Sequence, residues 1–125
     1  MIFDLHIHTD YSDGLFTPKE VVDLAIKKNL NGIAITDHDT VDGIEPAMVY
    51  NNNLIDSIHI IPGIEFGCIY KNEEVHILGY FINYKSSKII NLSKEIKKNR
   101  IDRSLKMINK LNTIWFKIEM DEIEV

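Results

Sequence analysis

Cysteine, proline and tryptophan are scarce in this 125-residue chain, which has one Cys, three Pro and one Trp. A single thiol, Cys68, rules out any internal disulfide framework, and the plain expectation is a reduced, buried side chain. No apolar run approaches the ~18 residues that a membrane-spanning helix needs. The opening MIFDLHI has neither the basic leader nor the small-residue cleavage site of a secretory signal. These shortages together point to a cytoplasmic protein with no membrane partner. No repeat, linker or low-complexity tract breaks the chain, so residues 1–125 are expected to form one domain. With 45% hydrophobic and 26% charged residues, that domain has the composition of an ordinary globular fold and enough chain to bury a core.

Charge is unevenly spread. The net charge is −5, yet residues 85–110 carry nine Lys or Arg against Glu95 and Asp102, a local +7. The remainder holds five basic and seventeen acidic residues, a net of −12. An acidic body suits bound cations and a basic segment suits phosphates. A basic exposed helix is also commonplace, so this asymmetry alone decides nothing.

The pattern along the chain alternates strand and helix. IFDLHI reads as a strand. TPKEVVDLAIKKNLNG carries helix punctuation: Thr17 as N-cap, Pro18 at the first helical position and Glu20 completing a capping box. Val21, Val22, Ala25 and Ile26 form its apolar stripe, Lys27 and Lys28 suit its last turn, and Asn29 is a left-handed stop. GIAIT is a second, buried strand. TVDGIEPAMVYNNN is a poorer helix because of Gly43 and Pro46. SIHII is a third strand, expected to end at Pro62-Gly63. IEFGCIY and VHILGYFIN are strand-like runs around the polar turn KNEE. Residues 86–112 form a basic helical segment, FKIEM suggests another strand, and MDEIEV the opening of a helix. The order strand, helix, strand, helix, strand is that of an α/β fold built on a parallel sheet or barrel.

The chemistry concentrates at four places. Side chains alternate faces along a strand, so His6 and His8 share one face with Asp4, their Cβ atoms ~6.5 Å apart. Two imidazoles so placed can converge on one cation, with Asp4 orienting His6 from outside the coordination sphere. Leu5 and Ile7, on the other face, are expected to lie under helices. Asp37, His38 and Asp39 follow the second strand, Glu65 follows the Pro-Gly break, and His76 stands in an otherwise apolar run. Alone, His76 reads as a hydrogen-bonded core residue, and His59 as structural. Four polar groups at the ends of four successive strands instead read as one metal-binding rim.

These stretches, H-x-H-T-x-x-S-D-G at residues 6–14, I-T-D-H-D-T at 35–40, P-G-I-E at 62–65 and V-H-I-L-G-Y at 75–80, resemble the PHP (polymerase and histidinol phosphatase) family. Within it they resemble the stand-alone phosphoesterases that act on nucleotides and RNA ends. The resemblance implies a distorted (β/α)7 barrel with a two- or three-metal site that hydrolyses phosphate esters. His6, His8 and Glu65 correspond to ligands of a first metal, Asp13 and His38 to those of a second, and Glu65, bridging, with His76 to those of a third. Imidazole mixed with carboxylate suits Mn, Fe or Zn. The implied nucleophile is a metal-bound water, with no side-chain base assigned. Asp37 and Asp39 are read as residues that cap loops or support ligands rather than as ligands.

The helix KKNRIDRSLKMINKLN resembles the family's R-x-x-R helix, which assigns Arg100 and Arg103 to the substrate phosphate. Counted from Ile89, Leu92 and Ile96 fall at about 300° and 340°, and Arg100 and Arg103 at about 20° and 320°. The arginines are thus expected to prolong the helix's apolar face, where salt bridges are the competing reading. The chain also departs from the family. Relatives carry a further histidine and an Asp-x-His, whereas no histidine follows His76 here; Thr113-Ile114-Trp115 stands where the family commonly has a glycine. The expectation is therefore a partial barrel lacking its C-terminal strands, fewer than three metals, weak activity alone, and an open sheet edge available for self-association. Two other readings stay open: a non-catalytic remnant that binds metal or a partner, and an amidohydrolase-type metallohydrolase, whose barrels also begin with H-x-H.

Overall fold

The computed structural model describes residues 1–114. The strand expected in FKIEM, the helix expected in MDEIEV, and Trp115 lie outside the described residues. The elements run β1 (Phe3–Ile7), α1 (Pro18–Lys27), β2 (Gly32–Ile35), α2 (Ile44–Asn52), β3 (His59–Tyr70), β4 (Glu73–Tyr80) and α3 (Ser87–Asn112). The chain divides into two compact units, Met1–Ser93 and Lys94–Val125, with the boundary inside α3. Among the described residues no helix is long and apolar enough to cross a membrane.

In the first unit the punctuation of α1 acts as its residues dictate. The Thr17 hydroxyl accepts from the Glu20 amide while the Glu20 carboxylate accepts from the Thr17 amide, with Pro18 opening the helix. Two orphan donors are thereby satisfied reciprocally. At the other end Asn29 adopts φ 58°. The Asn29 amide donates to the Ile26 carbonyl and the Leu30 amide to the Ala25 carbonyl, which is the paired closure of a Schellman motif. Pro46 in α2 is tolerated because it falls in the first turn, where no intrahelical amide is needed.

The sheet has the order β1-β2-β3-β4, so β1 and β4 form its edges. All four residues of β2 are buried, as a strand with neighbours on both sides requires. Ile33 and Ile35 meet Val21, Val22 and Ala25 of α1, Ile44 and Ala47 of α2, and Ile64 of β3 in one core. Each fully buried isoleucine there contributes about 1.5–3 kcal/mol.

Three expectations need correcting. First, β3 does not stop at Pro62-Gly63. Residues His59–Pro62 pair in parallel with Gly32–Ile35, and Gly63–Tyr70 then pair antiparallel with Tyr80–Glu73. The Pro-Gly step marks a change of partner. Proline supplies no amide there, while its carbonyl still accepts from the Ile82 amide. Glycine is required because a Cβ at residue 63 would lie 2.8 Å from the Thr36 methyl and 3.0 Å from two carbonyl oxygens. Second, the hairpin turn is only Lys71-Asn72, at φ 49° and 64°, the left-handed pair that a tight two-residue hairpin needs. Glu73 and Glu74 belong to β4. The sheet is therefore mixed, and Glu65 and His76 lie within strands rather than at strand ends. Third, Leu5 is 46% exposed instead of covered by helices, because β1 is an edge strand.

The sheet curls. Flat, β1 and β4 would lie about 14 Å apart, three strand spacings. Instead the Tyr80 hydroxyl on β4 donates to the Leu5 carbonyl on β1 at 2.9 Å. The first unit is thus a mixed α/β fragment with a half-barrel sheet. Cys68, expected to be buried, is a free thiol at intermediate exposure. His59, apart from the other histidines, stacks on Phe3 with ring centroids 6.1 Å apart.

In the helix that enters the second unit, Ser93 and Ile108 are buried, and Ile89, Ile90, Ile96, Ile101 and Ser104 are half-buried. On the same count from Ile89 these fall between about 340° and 120°. Leu92 is 43% exposed and both Arg100 and Arg103 are exposed. The buried arc is thus rotated away from Leu92 and Arg103, and Arg100, at its margin, is exposed where the sequence count expected it on a packed face.

The partner switch makes a quantitative prediction. Gly63→Ala should lower unfolding stability by about 1–3 kcal/mol, the range for overpacking a filled site, measured by urea denaturation followed by circular dichroism. An unchanged midpoint would show that the crossing has room to spare.

Candidate metal centre

Curling brings the four sequence clusters to one place. Glu65 of β3 is the hub, its side chain only 5% exposed. Its Oε2 lies 2.8 Å from His6 Nε2 and 3.0 Å from His8 Nε2, and 3.8 Å from His38 Nε2. Its Oε1 lies 2.8 Å from His76 Nδ1. The rings form a chain, with centroids 5.0 Å apart for His6–His8, 4.6 Å for His8–His38 and 5.1 Å for His38–His76. Asp13 stands at the open side, 66% exposed, with Oδ1 2.7 Å from His8 Nδ1 and Oδ2 3.7 Å from His38 Nε2.

The aspartates around His38 do different work. Asp37 is fully buried and accepts from the Thr9 amide (2.6 Å), the Thr9 hydroxyl (2.8 Å) and the Ser12 hydroxyl (2.7 Å). It therefore ties down the loop that carries Asp13. The Asp37 carbonyl receives the Glu65 amide, and the Asp39 amide donates to the Glu65 carbonyl, so the hub is clamped on both sides by residues flanking His38. Asp39, at φ 56°, also accepts from the Gly67 amide at 3.3 Å. Asp4 does not reach the His6 ring; its carboxylate accepts from the His6 backbone amide at 3.3 Å. Sequence reasoning assigned no role to Thr9 and Ser12, although both stand in the quoted H-x-H-T-x-x-S-D-G stretch. Glu74, also passed over, lies 3.6 Å from His76 Nε2; its signal was the two-residue spacing that puts it on the same strand face as His76.

Electrostatics follow from this packing. Burial pushes the Glu65 carboxyl up, but the hydrogen bonds from His6 and His76 and the charges of His38 and His6 together outweigh it and hold it below the usual range. Asp13 is likewise raised by desolvation and lowered further by the hydrogen bond and charge of His8 and the charge of His38, for a net depression. The hydrogen bond to Glu65 lifts His76, against a smaller opposing effect of desolvation, with Glu74 adding to the rise.

The donor set fits divalent cations. Three trios place one ligand atom each within 4.8 Å of one another: His6, His8 and Glu65; His8, Asp13 and His38; His38, Glu65 and His76. A tetrahedral ion with bonds near 2.1 Å holds its donors about 3.4 Å apart, so contacts of 2.8–3.0 Å need spread only by tenths of an ångström. Four imidazoles packed this closely also repel one another when protonated and attract a cation when neutral.

The fold is mixed α/β, and the cluster on it offers three donor trios that could hold metal ions. The family model for the PHP domain matches residues 4–117, and the chain belongs to that family. It is 40% identical over 83 residues to the 5′-3′ exoribonuclease Rnm of Escherichia coli, covering 66% of this chain and 28% of that protein. It is 32% identical over 104 residues to the 3′,5′-nucleoside bisphosphate phosphatase of Chromobacterium violaceum, covering 83% of this chain and 36% of the relative. A crystal structure of a candidate metal-dependent phosphoesterase from Bifidobacterium adolescentis superposes with TM-score 0.81 at 29% identity, covering 95% of this chain and 41% of that one. A structure described as an amidohydrolase from C. violaceum, with bound sulfate and no metal, gives TM-score 0.80 at 29% identity, covering 94% and 41%. The matched stretch thus spans well under half the length of each of these proteins.

The role of Asp37 is open to direct test. Asp37→Ala removes the acceptor of three hydrogen bonds and strands the buried Thr9 hydroxyl and amide. It should cost at least about 1.5–3 kcal/mol, the value of one hydrogen bond to a charged group, in chemical denaturation of the metal-free chain. A loss below about 0.5 kcal/mol, the usual scatter of surface substitutions, would remove Asp37 as the anchor of the loop.

Proposed function

We propose that this chain carries a metal-dependent phosphoesterase site acting on phosphate esters of nucleotides or of RNA or DNA ends, in the cytoplasm. One observation carries the reading: a buried carboxylate, Glu65, within 2.8–3.8 Å of four imidazole nitrogens drawn from β1, the loops after β1 and β2, and β4. The three overlapping trios of imidazole and carboxylate donors that result are of the type that binds divalent cations. The relatives named as an exoribonuclease, a bisphosphate phosphatase and a candidate phosphoesterase support the same chemistry. His6, His8, Asp13, His38, Glu65 and His76 would hold Mn, Fe or Zn.

When bound, such ions activate water and neutralise the charge that builds on phosphoryl and leaving oxygens. The protein's own residues supply position. Glu65 contributes the anion common to two donor trios. Asp37 and Asp39 fix its backbone and the Asp13 loop. His6 and His76, each roughly half exposed, line the open side from which a phosphate can approach. No side chain is assigned as a base.

The test is an assay on the metal-reconstituted chain with nucleotides and short 5′-phosphorylated RNA. Phosphate release should be measurable, should cease with a chelator, and should fall more than about 100-fold in Glu65→Gln, exceeding the loss typical of residues that merely support ligands. Bound metal without turnover would favour the non-catalytic reading. Cleavage of C–N substrates instead would favour the amidohydrolase reading suggested by one structural relative.

We extend the proposal to Arg100 and Arg103, exposed guanidiniums of α3, as binders of substrate phosphate. Replacing both with Ala should raise KM about tenfold or more with kcat little changed, the signature of lost uniform binding through charge-assisted hydrogen bonds. Unchanged KM returns both to a surface role.

A further inference from the structure

The hairpin face that carries Glu65 continues beyond the cluster. β3 and β4 pair without a slip from Gly63↔Tyr80 to Tyr70↔Glu73. Side chains alternate faces along each strand, so Glu65, Gly67 and Ile69 share a face with Leu78, His76 and Glu74, their partners across the ladder. The 2.8 Å contact between Glu65 and His76 marks it as the face of the cluster. Rows on one face are about 7 Å apart, two residues of ~3.4 Å rise. The Gly67–His76 row therefore adjoins the hub, and the Ile69–Glu74 row lies one step further out.

Along these rows the surface turns flat and open. Gly67 is exposed, and a Cβ built on it would meet nothing within 4 Å, the opposite of the crowding at Gly63. Its floor is bare backbone, held in place where the Gly67 amide donates to Asp39 at 3.3 Å. A glycine inside a strand often marks a place where a ligand or another backbone comes close. Ile69 is 80% exposed, an apolar side chain left uncovered among the described residues. Glu74, across from it, is 79% exposed, and its Oε1 lies 3.6 Å from His76 Nε2, a loose contact that leaves the carboxylate able to accept from a ligand. A second phosphate is a poor fit, because Glu73 and Glu74 repel it and the cation at the turn, Lys71, lies over the Tyr70 ring. A flat, neutral group with a hydrogen-bond donor on its rim is a good one.

We infer that Gly67, Ile69 and Glu74 form the seat of the nucleobase of a nucleotide whose phosphate is held at the cluster. The ring lies on the Gly67 backbone against Ile69, and an exocyclic amino group donates to Glu74. This rests on the phosphoesterase reading above and deepens it by naming the part of the substrate that is recognised. Adenine, cytosine and guanine carry such an amino group, whereas uracil and thymine present a carbonyl oxygen, which a carboxylate repels. The site is therefore selective for amino-bearing bases.

The experiment measures binding to the Mn(II)-loaded chain by calorimetry, using hydrolysis-resistant phosphonate analogues of AMP, UMP and ribose 5-phosphate. Phosphate release from AMP itself is followed separately. The AMP analogue should bind about tenfold more tightly than the ribose analogue, through the apolar surface it covers. It should bind about fivefold more tightly than the UMP analogue, through one hydrogen bond. Gly67→Val fills the shelf and should erase the advantage of the base, while affinity for the ribose analogue stays within about twofold, the scatter of surface substitutions. Glu74→Gln, which can donate as well as accept, should remove the preference for adenine over uracil. Circular dichroism checks that both variants fold.

Equal affinity for the AMP and ribose analogues, a Gly67→Val chain that keeps the difference, or no binding of any analogue would overturn the seat. AMP and UMP analogues that bind alike to wild type would remove Glu74 from it. Each of these results, with phosphate still released from AMP, leaves the phosphoesterase reading standing. Binding as expected with no phosphate release keeps the seat and overturns the hydrolysis.

Discussion

One buried carboxylate organises this protein's chemistry. Glu65 has its side chain almost wholly withdrawn from water and four imidazoles arranged around its two oxygens. Desolvation opposes its ionisation, yet the surrounding rings outweigh that and keep it anionic. The four rings reach Glu65 from three separate stretches of chain, at His6–His8, His38 and His76, so the cluster is also a tertiary clasp. It joins β1 to β3 and β4, which are not neighbours in a flat sheet. A site built this way depends on the curl, and the curl in turn is bridged by the site and by the Tyr80–Leu5 hydrogen bond.

The backbone beneath the clasp explains why the strands run as they do. β3 pairs in parallel with β2 until Pro62 and antiparallel with β4 from Gly63. The stretch around Glu65 sees both regimes: its amide and carbonyl bond to the loop beyond β2, and its residue pairs with Leu78 of β4. Glu65 is therefore held from two directions, two residues past a glycine that admits the close crossing. Rigid strands and a clamped loop place these side chains more reproducibly than free loops would.

Much of this was legible in the sequence, and the parts that were not have physical reasons. The α1 caps, the left-handed Asn29 and the buried β2 follow from local rules that act within a few residues, and they appear as read. The convergence of His6, His8, Asp13, His38, Glu65 and His76 was legible only as a pattern of polar residues interrupting apolar runs, since distance in space is not written in spacing. Pro62-Gly63 misled because the same two residues that usually end a strand also suit a change of strand partner; telling these apart requires knowing where β4 lies. The face of α3 misled for a related reason. Helical counting gives relative angles, but which angle is buried is set by tertiary packing, and Ser93, Ser104 and Ile108 outrank Leu92.

The motif Asp37-His38-Asp39 shows how one short segment can serve both stability and chemistry. Three adjacent polar residues look alike on paper, and their burial separates them. Asp37 is withdrawn from solvent and receives three hydrogen bonds, a saturated acceptor with little capacity left for an ion. Asp39 uses its left-handed backbone and one carboxylate oxygen to hold β3. His38, between them, has no such duty and turns its ring to the cluster. The flanking acids therefore act mechanically, holding the segments on either side of His38. Because Asp37 anchors the loop bearing Asp13 and its carbonyl anchors Glu65, a disturbance at this single buried side chain is transmitted to both carboxylates of the cluster at once.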